Sequence, residues 1–246
     1  MGAGSRRVSL GDIRVAPRLL VDDVVQKLKE VIFSGGLRPG DRLVETDLSV
    51  SLGVSRPLLR EAIRTLQAER LCVVTPHKGA HIPVLSWQDA EHIYDVRMLL
   101  EGEACALCAQ AITQEELSEL ADALAHFGAA VDAEARFRRV EATTQFYAVI
   151  LRASRNPVIE ELLLGLLARV NFLRARSMDR PGRAKFSHAE MEDILRAIRE
   201  RDAERAREAA IRHVRNAKAA AREAFLPDGR PAKHGNPGET TEDAHG

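Results

Sequence analysis

At 246 residues and 45% hydrophobic content, the chain carries enough apolar material for one large domain or two smaller ones. No apolar run approaches the roughly 20 residues of a membrane span, and three cysteines are an odd count that excludes a closed disulfide framework. The zero formal net charge hides an asymmetry: residues 1–84 hold 13 Lys+Arg against 9 Asp+Glu, and residues 85–246 hold 23 against 27. A basic first third joined to an acidic remainder predicts separate tasks for the two parts.

Aromatic residues are only 4%, while Ala, Leu, Arg and Glu are abundant, a composition that favours helices. The start, MGAGSRRVSLGDIRVAPR, has basic residues but no apolar signal core, so the expected location is cytoplasmic and residues 1–17 read as a flexible arm. LLVDDVVQKLKEVIFSG then sets Leu20, Val24, Val25, Leu28, Val31 and Ile32 on one helical stripe, stopped by Gly35, Gly36, Pro39 and Gly40. ETDLSVSLG reads as a second short helix closed by Gly53. In GVSRPLLREAIRTL, Ser55 is placed to cap a third helix, in whose first turn Pro57 is tolerated.

On that third helix Arg56, Arg60 and Arg64 sweep about 80° of surface at ~100° per residue. Leu59, Ile63 and Leu66, with Ala62, occupy a sector centred roughly 110° away. One face suits a core and the other an anion. RLCVVTPHKGAHIPVL follows as a hairpin, with strands over Cys72–Thr75 and Ala80–Val84 and Gly79 as the turn residue.

Helix, helix, tight turn, helix, hairpin is the order of a winged helix-turn-helix, whose recognition helix enters the major groove. In that setting the arginine row meets phosphates and base edges, and His77 and Lys78 stand at the wing tip. Outside it, the same row is a solvated face with Arg60 and Arg64 paired to Glu61 or Glu69.

From Trp87 onward no strand is predicted. About six helices follow, over DAEHIYDVRMLLEGEACALCAQAI, TQEELSELADALAHFG, FRRVEATTQFYAVILRAS, PVIEELLLGLLARVNFLRARSM, FSHAEMEDILRAIRE and DAERAREAAIRHVRNAKAAAREAFL. Thr113 and Glu116 form a capping box. Cys105 and Cys108 make a C-x-x-C, but mid-helix among alanines they read as small buried residues and not as a zinc or redox pair. Leu99, Leu100, Leu163, Leu164, Leu166 and Leu167 read as core or dimer-interface positions. The polar tail over 227–246, rich in Gly and Pro, is expected to be disordered. The fold class is mainly α: a winged helix-turn-helix over 18–84, then an all-helical bundle over 85–226.

These residues resemble a transcription regulator of the GntR family, FadR-like branch, with the helical effector domain called FCD. The first part of the resemblance is LRPGDRLVETDLSVSLGVSRPLLREAIRTLQAERLCVV, with its Pro-Gly turn, Leu-Gly-Val-Ser-Arg and Arg-Glu-Ala. The second is IYDVRMLLEGEA, then ASRNPVIEELL, then ILRAIRERDAERA with His213 following. The resemblance implies DNA contacts by Arg56 and Arg60 and a wing-tip role for Gly79. It also implies an inverted-repeat operator with GT and AC in its arms. Pro57 and Leu58 stand where relatives have a threonine and then the proline, and Thr46 where some carry a DNA-contacting arginine. Ser55, Arg42, Arg64, His77 and Lys78 complete the candidate DNA set, with Arg42, Arg64 and Lys78 as phosphate contacts.

In the effector domain the resemblance implies a metal site built from an Asp and a His four residues apart and two further His. The aligned positions here are Thr143, Tyr147, Met191 and His213. Three of four ligands are replaced by groups that bind such ions poorly, so His213 is the one matching ligand and zinc or nickel is disfavoured. His188, three residues before Met191, would change helix face. Arg97 matches an arginine that in relatives points into the cavity, where a ligand carboxylate can meet it. Thr143, Tyr147, Asn171, Met191 and His213 are the other candidate liners.

The expected protein is therefore a homodimeric, DNA-binding transcriptional regulator, with repression as the family default and an organic acid as effector. The partners expected are duplex DNA, the effector and a second copy, with no membrane. G-x-G-x-x-G, Walker, G-x-S-x-G and H-E-x-x-H motifs are absent. The rival readings are a winged-helix protein-interaction module and a helical metabolite-processing enzyme.

Overall fold

A computed structural model of the chain describes residues 17–225. The expected arm up to residue 16 and the expected disordered tail from 227 lie outside the described residues. The described residues form two compact units that divide between Val84 and Leu85.

The first unit runs α1 (Pro17–Ser34), α2 (Glu45–Leu52), α3 (Arg56–Ala68), β1 (Val73–Thr75) and β2 (Gly79–His81). α1 packs on α3, and α2 on α3. Val24, Val25, Leu28 and Ile32 of α1 are buried as the stripe predicts, whereas Leu20 is exposed and Phe33 takes a core place that the stripe omits. Gly53 ends α2 in the left-handed conformation at φ 65°, where glycine has no Cβ to clash. Ser55 caps α3, its hydroxyl accepting from Leu58 N at 3.4 Å, with Pro57 in the first turn.

The hairpin is shorter than expected. β2 stops at His81 because Ile82 N donates to Asp41 O and Pro83 has no N–H to continue the ladder. β1 and β2 are antiparallel, pairing Val73 with His81, Val74 with Ala80 and Thr75 with Gly79. The segment before α2 supplies a third edge: Arg42 bridges His81, and Leu43 N donates to Ala80 O at 2.8 Å. Two residues of the wing turn have positive φ, Gly79 at 73° and His77 at 64°.

The second unit holds six helices among the described residues: α4 (Trp87–Ala111), α5 (Gln114–Asp132), α6 (Arg136–Ala153), α7 (Pro157–Met178), α8 (Arg183–Arg199) and α9 (Ala203–Phe225). α5 starts on the predicted box, Thr113 Oγ1 accepting from Glu116 N and Glu116 Oε2 accepting from Thr113 N. A second box, Ser86 with Asp89, starts α4 and escaped the sequence reading. Asn156 caps α7 by accepting from Ile159 N.

The main core draws on all six helices, α4 to α9, around Phe127, Phe146, Ile150, Met191 and Ile194. A smaller one sets Tyr94, Val170, Leu173 and Val214 together. Two glycines allow close approach: a Cβ on Gly102 would lie 2.9 Å from Ile211 Cγ1, and one on Gly128 would lie 2.8 Å from His188 Nε2. Cys105 and Cys108 are buried thiols in the main core, as the alanine-rich context predicts, and Cys72 is buried in the first unit. Of the leucines read as core or interface, Leu163 is in the core while Leu99 and Leu164 are exposed.

Phe127 has no exposed surface. Phe127→Ala is expected to remove about 3–5 kcal/mol from the unfolding free energy of the helical unit, read from the urea midpoint, because the vacated volume cannot close.

Candidate nucleic-acid interface and buried effector site

α3 separates its two faces as the spacing predicts. Leu59, Ala62, Ile63 and Leu66 are buried, and Arg56, Arg60 and Arg64 are exposed. Arg60 is not free: its Nε donates to Glu45 Oε2 at 2.7 Å, joining α3 to the start of α2. The sequence reading offered Glu61 or Glu69 as partners. Glu61 meets Arg64 at 3.4 Å, but Glu69 is taken by Lys29. Both members of the Arg60–Glu45 pair keep substantial exposure, so the pair is weak and exchangeable.

Thr46 Oγ1 donates to Asp47 on the exposed surface of α2. His77, Lys78 and Gly79 are exposed at the wing, and Arg42 Nη2 lies 3.7 Å from where a Cβ on Gly79 would stand. Arg42 thus belongs to the wing base, held there by its backbone bridge to His81.

The expected effector liners do not share one state. Arg97 has no exposed surface, and its Nε and Nη2 donate to Glu101 Oε1 and Oε2 at 2.6 and 3.3 Å. Burial opposes the Arg97 charge, but Glu101 one turn away outweighs that and raises its pKa. Burial would raise the Glu101 carboxyl, yet Arg97 and Arg174 hold it below its ordinary value. A ligand carboxylate would therefore compete with Glu101 for Arg97. Thr143 spends its hydroxyl on Arg139 O of its own helix, at 2.7 Å. Met191 sits in the main core with no exposed surface.

His213 and Tyr147 are stacked, with ring centroids 6.4 Å apart. His213 is fixed by a network that sequence reasoning missed. Glu190 accepts from His213 Nδ1 at 2.8 Å, from Asn216 at 2.8 Å and from both Arg183 Nη atoms at 3.0 and 2.7 Å. Burial pushes the His213 imidazole below its ordinary 6.5, against the pull of Glu190. The ring is thus neutral with its proton on Nδ1, since the carboxylate can only accept. Burial would raise Glu190, but the bonds from His213, Arg183 and Asn216 outweigh it and hold that carboxyl at about 2.

Asn171 accepts from Thr144 and from Arg174 Nη1 at 3.3 and 3.2 Å. Arg174, absent from the expected set, is buried with its guanidinium carbon 4.7 Å from the Tyr147 ring centroid. Among the described residues no three His, Cys, Asp or Glu side chains cluster as a metal site requires. His188 stacks on Phe127. No helix among the described residues is long and apolar enough to cross a membrane.

Two family profiles match the chain: bacterial regulatory proteins of the gntR family over residues 20–82, and the FCD domain over residues 92–216. The chain belongs to the GntR family and carries an FCD domain. It is 29% identical over 188 residues to the uncharacterized HTH-type transcriptional regulator YdhC of Bacillus subtilis (strain 168), covering 76% of this chain and 84% of that protein. It is 27% identical over 213 residues to the galactonate operon transcriptional repressor of Escherichia coli (strain K12), covering 77% and 91%.

The fold is shared with E. coli McbR/YncC at a TM-score of 0.70 and 23% identity, covering 84% of this chain and 98% of that one. A GntR regulator from Rhodococcus sp. RHA1 aligns at 0.69 and 24%, covering 83% and 98%. This GntR protein is a transcriptional regulator, not an enzyme, and its first unit is a DNA-binding helix-turn-helix.

The sequence could have revealed Glu101: four residues after Arg97 on one helix, it forms the i,i+4 acid–base spacing. Glu190 carries no such local signal, because Arg183 stands seven positions before it on α8 and His213 and Asn216 come from α9; Arg174 has a local partner in Asn171, but its place against the Tyr147 ring depends on another helix. Both His213 and Glu190 have folded pKa values below their unfolded ones, so unfolding takes up protons as the pH falls. Stability of the FCD unit is expected to be full above about pH 6.5 and to decline below it through His213. Below about 4.5 Glu190 adds a steeper loss that continues toward 2. Urea midpoints at pH 7, 6 and 5 check this; in His213→Gln the decline between 7 and 5 should flatten.

Proposed function

We propose that this GntR regulator binds a short inverted-repeat operator as a homodimer, represses by occluding a promoter, and is relieved by a small organic acid held in the FCD unit. The observation that carries the DNA half is α3 itself, a helix with one face buried and Arg56, Arg60 and Arg64 exposed on the other. Arg56 and Arg60 make base or phosphate contacts, and Arg64, Lys78 and Arg42 add sequence-independent phosphate affinity, with Thr46, Ser55, His77 and Gly79 framing the contact surface. Repression is supported by the relative that is named a galactonate operon repressor. Dimerisation is supported by Val96 and Leu99 of α4 and Leu162 and Leu164 of α7, large apolar side chains left exposed.

The effector acts by shifting the population between two dimer geometries that differ in the spacing of the recognition helices. No resident metal takes part: Thr143, Tyr147 and Met191 offer no good ligand, and His213 already serves Glu190. The working compartment is the cytoplasm, where the operator is.

Selection of bound fragments from genomic duplex DNA, run on wild type and Arg60→Ala, tests the reading. A palindromic winner bound by wild type and weakened about 10- to 100-fold in the variant is the expected result. Wild type that enriches nothing, or a variant that enriches the same DNA equally, would sink it.

The Arg60–Glu45 pair generates a second expectation. Glu45→Gln frees the guanidinium and removes a carboxylate from the DNA side, so affinity for random duplex should rise about two- to fivefold. Fluorescence anisotropy at two salt concentrations checks it, the gain shrinking as salt rises.

A further inference from the structure

Among the described residues, two helices of the FCD unit start without a side-chain cap. α4, α5, α7 and α9 are capped by Ser86, Thr113, Asn156 and Asp202. α6 and α8 begin after Ala135 and Gly182, with no capping side chain and no acidic residue in the first turn. First-turn amides have no partner inside their own helix and carry the positive end of its dipole. In α8, Arg183 N donates to Arg180 O, and the next two amides, of Ala184 and Lys185, meet no acceptor among the described residues.

Both starts open on one cleft of about 320 Å³, large enough for a small molecule. Glu134, Arg136 and Arg139 line it beside α6, and Asp179, Arg180 and Lys185 line it beside α8. It shares no lining residue with the buried region around Arg97 and His213. Arg136 is paired with Asp179, and Arg180 with Glu223. Arg139 and Lys185 meet no carboxylate among the described residues, and the buried Nε of Arg139 has no hydrogen-bond partner. α5 and α7 end beside the same cleft, but their closing carbonyls are answered. Ala130 O accepts from Ala135 N, Val131 O from Glu134 N and Ser177 O from Arg180 N. The negative helix ends are thus satisfied, and the positive ones are not.

A fitting ion carries more than one negative charge and accepts from several directions at once. A phosphoryl group does both, with three acceptor oxygens for helix-start amides and cationic side chains. A carboxylate offers two oxygens in one plane, and a metal cation would be repelled. We propose that this cleft binds the phosphoryl group of a phosphomonoester or of free phosphate, held by the first-turn amides of α8 and the head groups of Arg139 and Lys185, with the start of α6 facing it. The site stands apart from the operator and from the organic-acid effector, and does not rest on either.

Calorimetric titration of the full chain with inorganic phosphate and glucose 6-phosphate tests this, with glucose and succinate as controls. One site per chain is expected, with both controls about tenfold weaker or worse. Tighter binding of glucose 6-phosphate than of phosphate assigns the cleft to a phosphomonoester, and equal or weaker binding assigns it to the free ion. Lys185→Gln should lose about fivefold in affinity and Arg139→Gln about tenfold. Ala135→Asp supplies the missing cap of α6 and places a carboxylate there. It should raise the unfolding temperature without ligand and weaken the phosphates about tenfold.

Failure of both phosphates to bind, succinate binding as tightly as either, or unchanged affinity in any of the three variants that folds overturns the proposal. Lys185 is exposed, so its variant keeps the test intact if Arg139→Gln does not fold. A loss in Arg60→Ala as large as that in Lys185→Gln would place the ion on the DNA-binding face and overturn it too.

Discussion

The helical unit is organised around a charge that cannot reach water. Arg97 has no exposed surface, and its guanidinium must be neutralised where it stands. Glu101, one turn later on the same helix, does this through two hydrogen bonds. Because the acid comes from α4 itself, the neutralisation needs no other helix to hold a register. The neighbours then fit around a fixed dipolar object: Tyr94 lies against the guanidinium, with ring centroid and carbon 5.1 Å apart, and the Arg174 charge stabilises the Glu101 carboxylate. A second anchor, Glu190 with Arg183, His213 and Asn216, ties α8 to α9 by the same logic of a buried carboxylate with several donors.

The DNA-binding unit uses the opposite strategy. Its charges stay in solvent and its stability comes from one apolar stripe on α3 packed against α1. That leaves the arginine face free of structural duty except at Arg60, whose resting partner Glu45 is itself exposed. A weak pair of this kind keeps the side chain extended toward one side without committing it. The wing is steadied from an unexpected quarter, since the turn before α2 pairs with β2 through Arg42 and Leu43.

Local signals were legible where one helix or turn carries the whole interaction. The two faces of α3, the Ser55 and Thr113 caps, the Gly53 stop and the six-helix second half all follow from spacing within a single segment. Resemblance added the family and pointed to Arg97, Tyr147, Asn171 and His213, which do lie in the buried polar region. What escaped was non-local. Arg60 meets a residue 15 positions away, and His213 meets one 23 positions away. The β2 end depends on Asp41, far before it in the chain. Met191 occupies a ligand position in alignment, which suggests a pocket liner, but an unbranched apolar side chain with no exposed surface serves the core.

The three cysteines have a further use that follows from where they sit. Cys72 lies in the interior of the first unit, and Cys105 and Cys108 lie in the interior of the second. Burial raises Cys72 to about 11 and Cys108 to about 12, and Cys105 well above its ordinary value. Such thiols react only when their surroundings open, because the thiolate is the reactive form and alkylating agents need access. The rate at which each is trapped by a maleimide therefore reports how often its own unit opens. The protein carries a built-in clock for each of its two halves, and no label need be engineered to read either one.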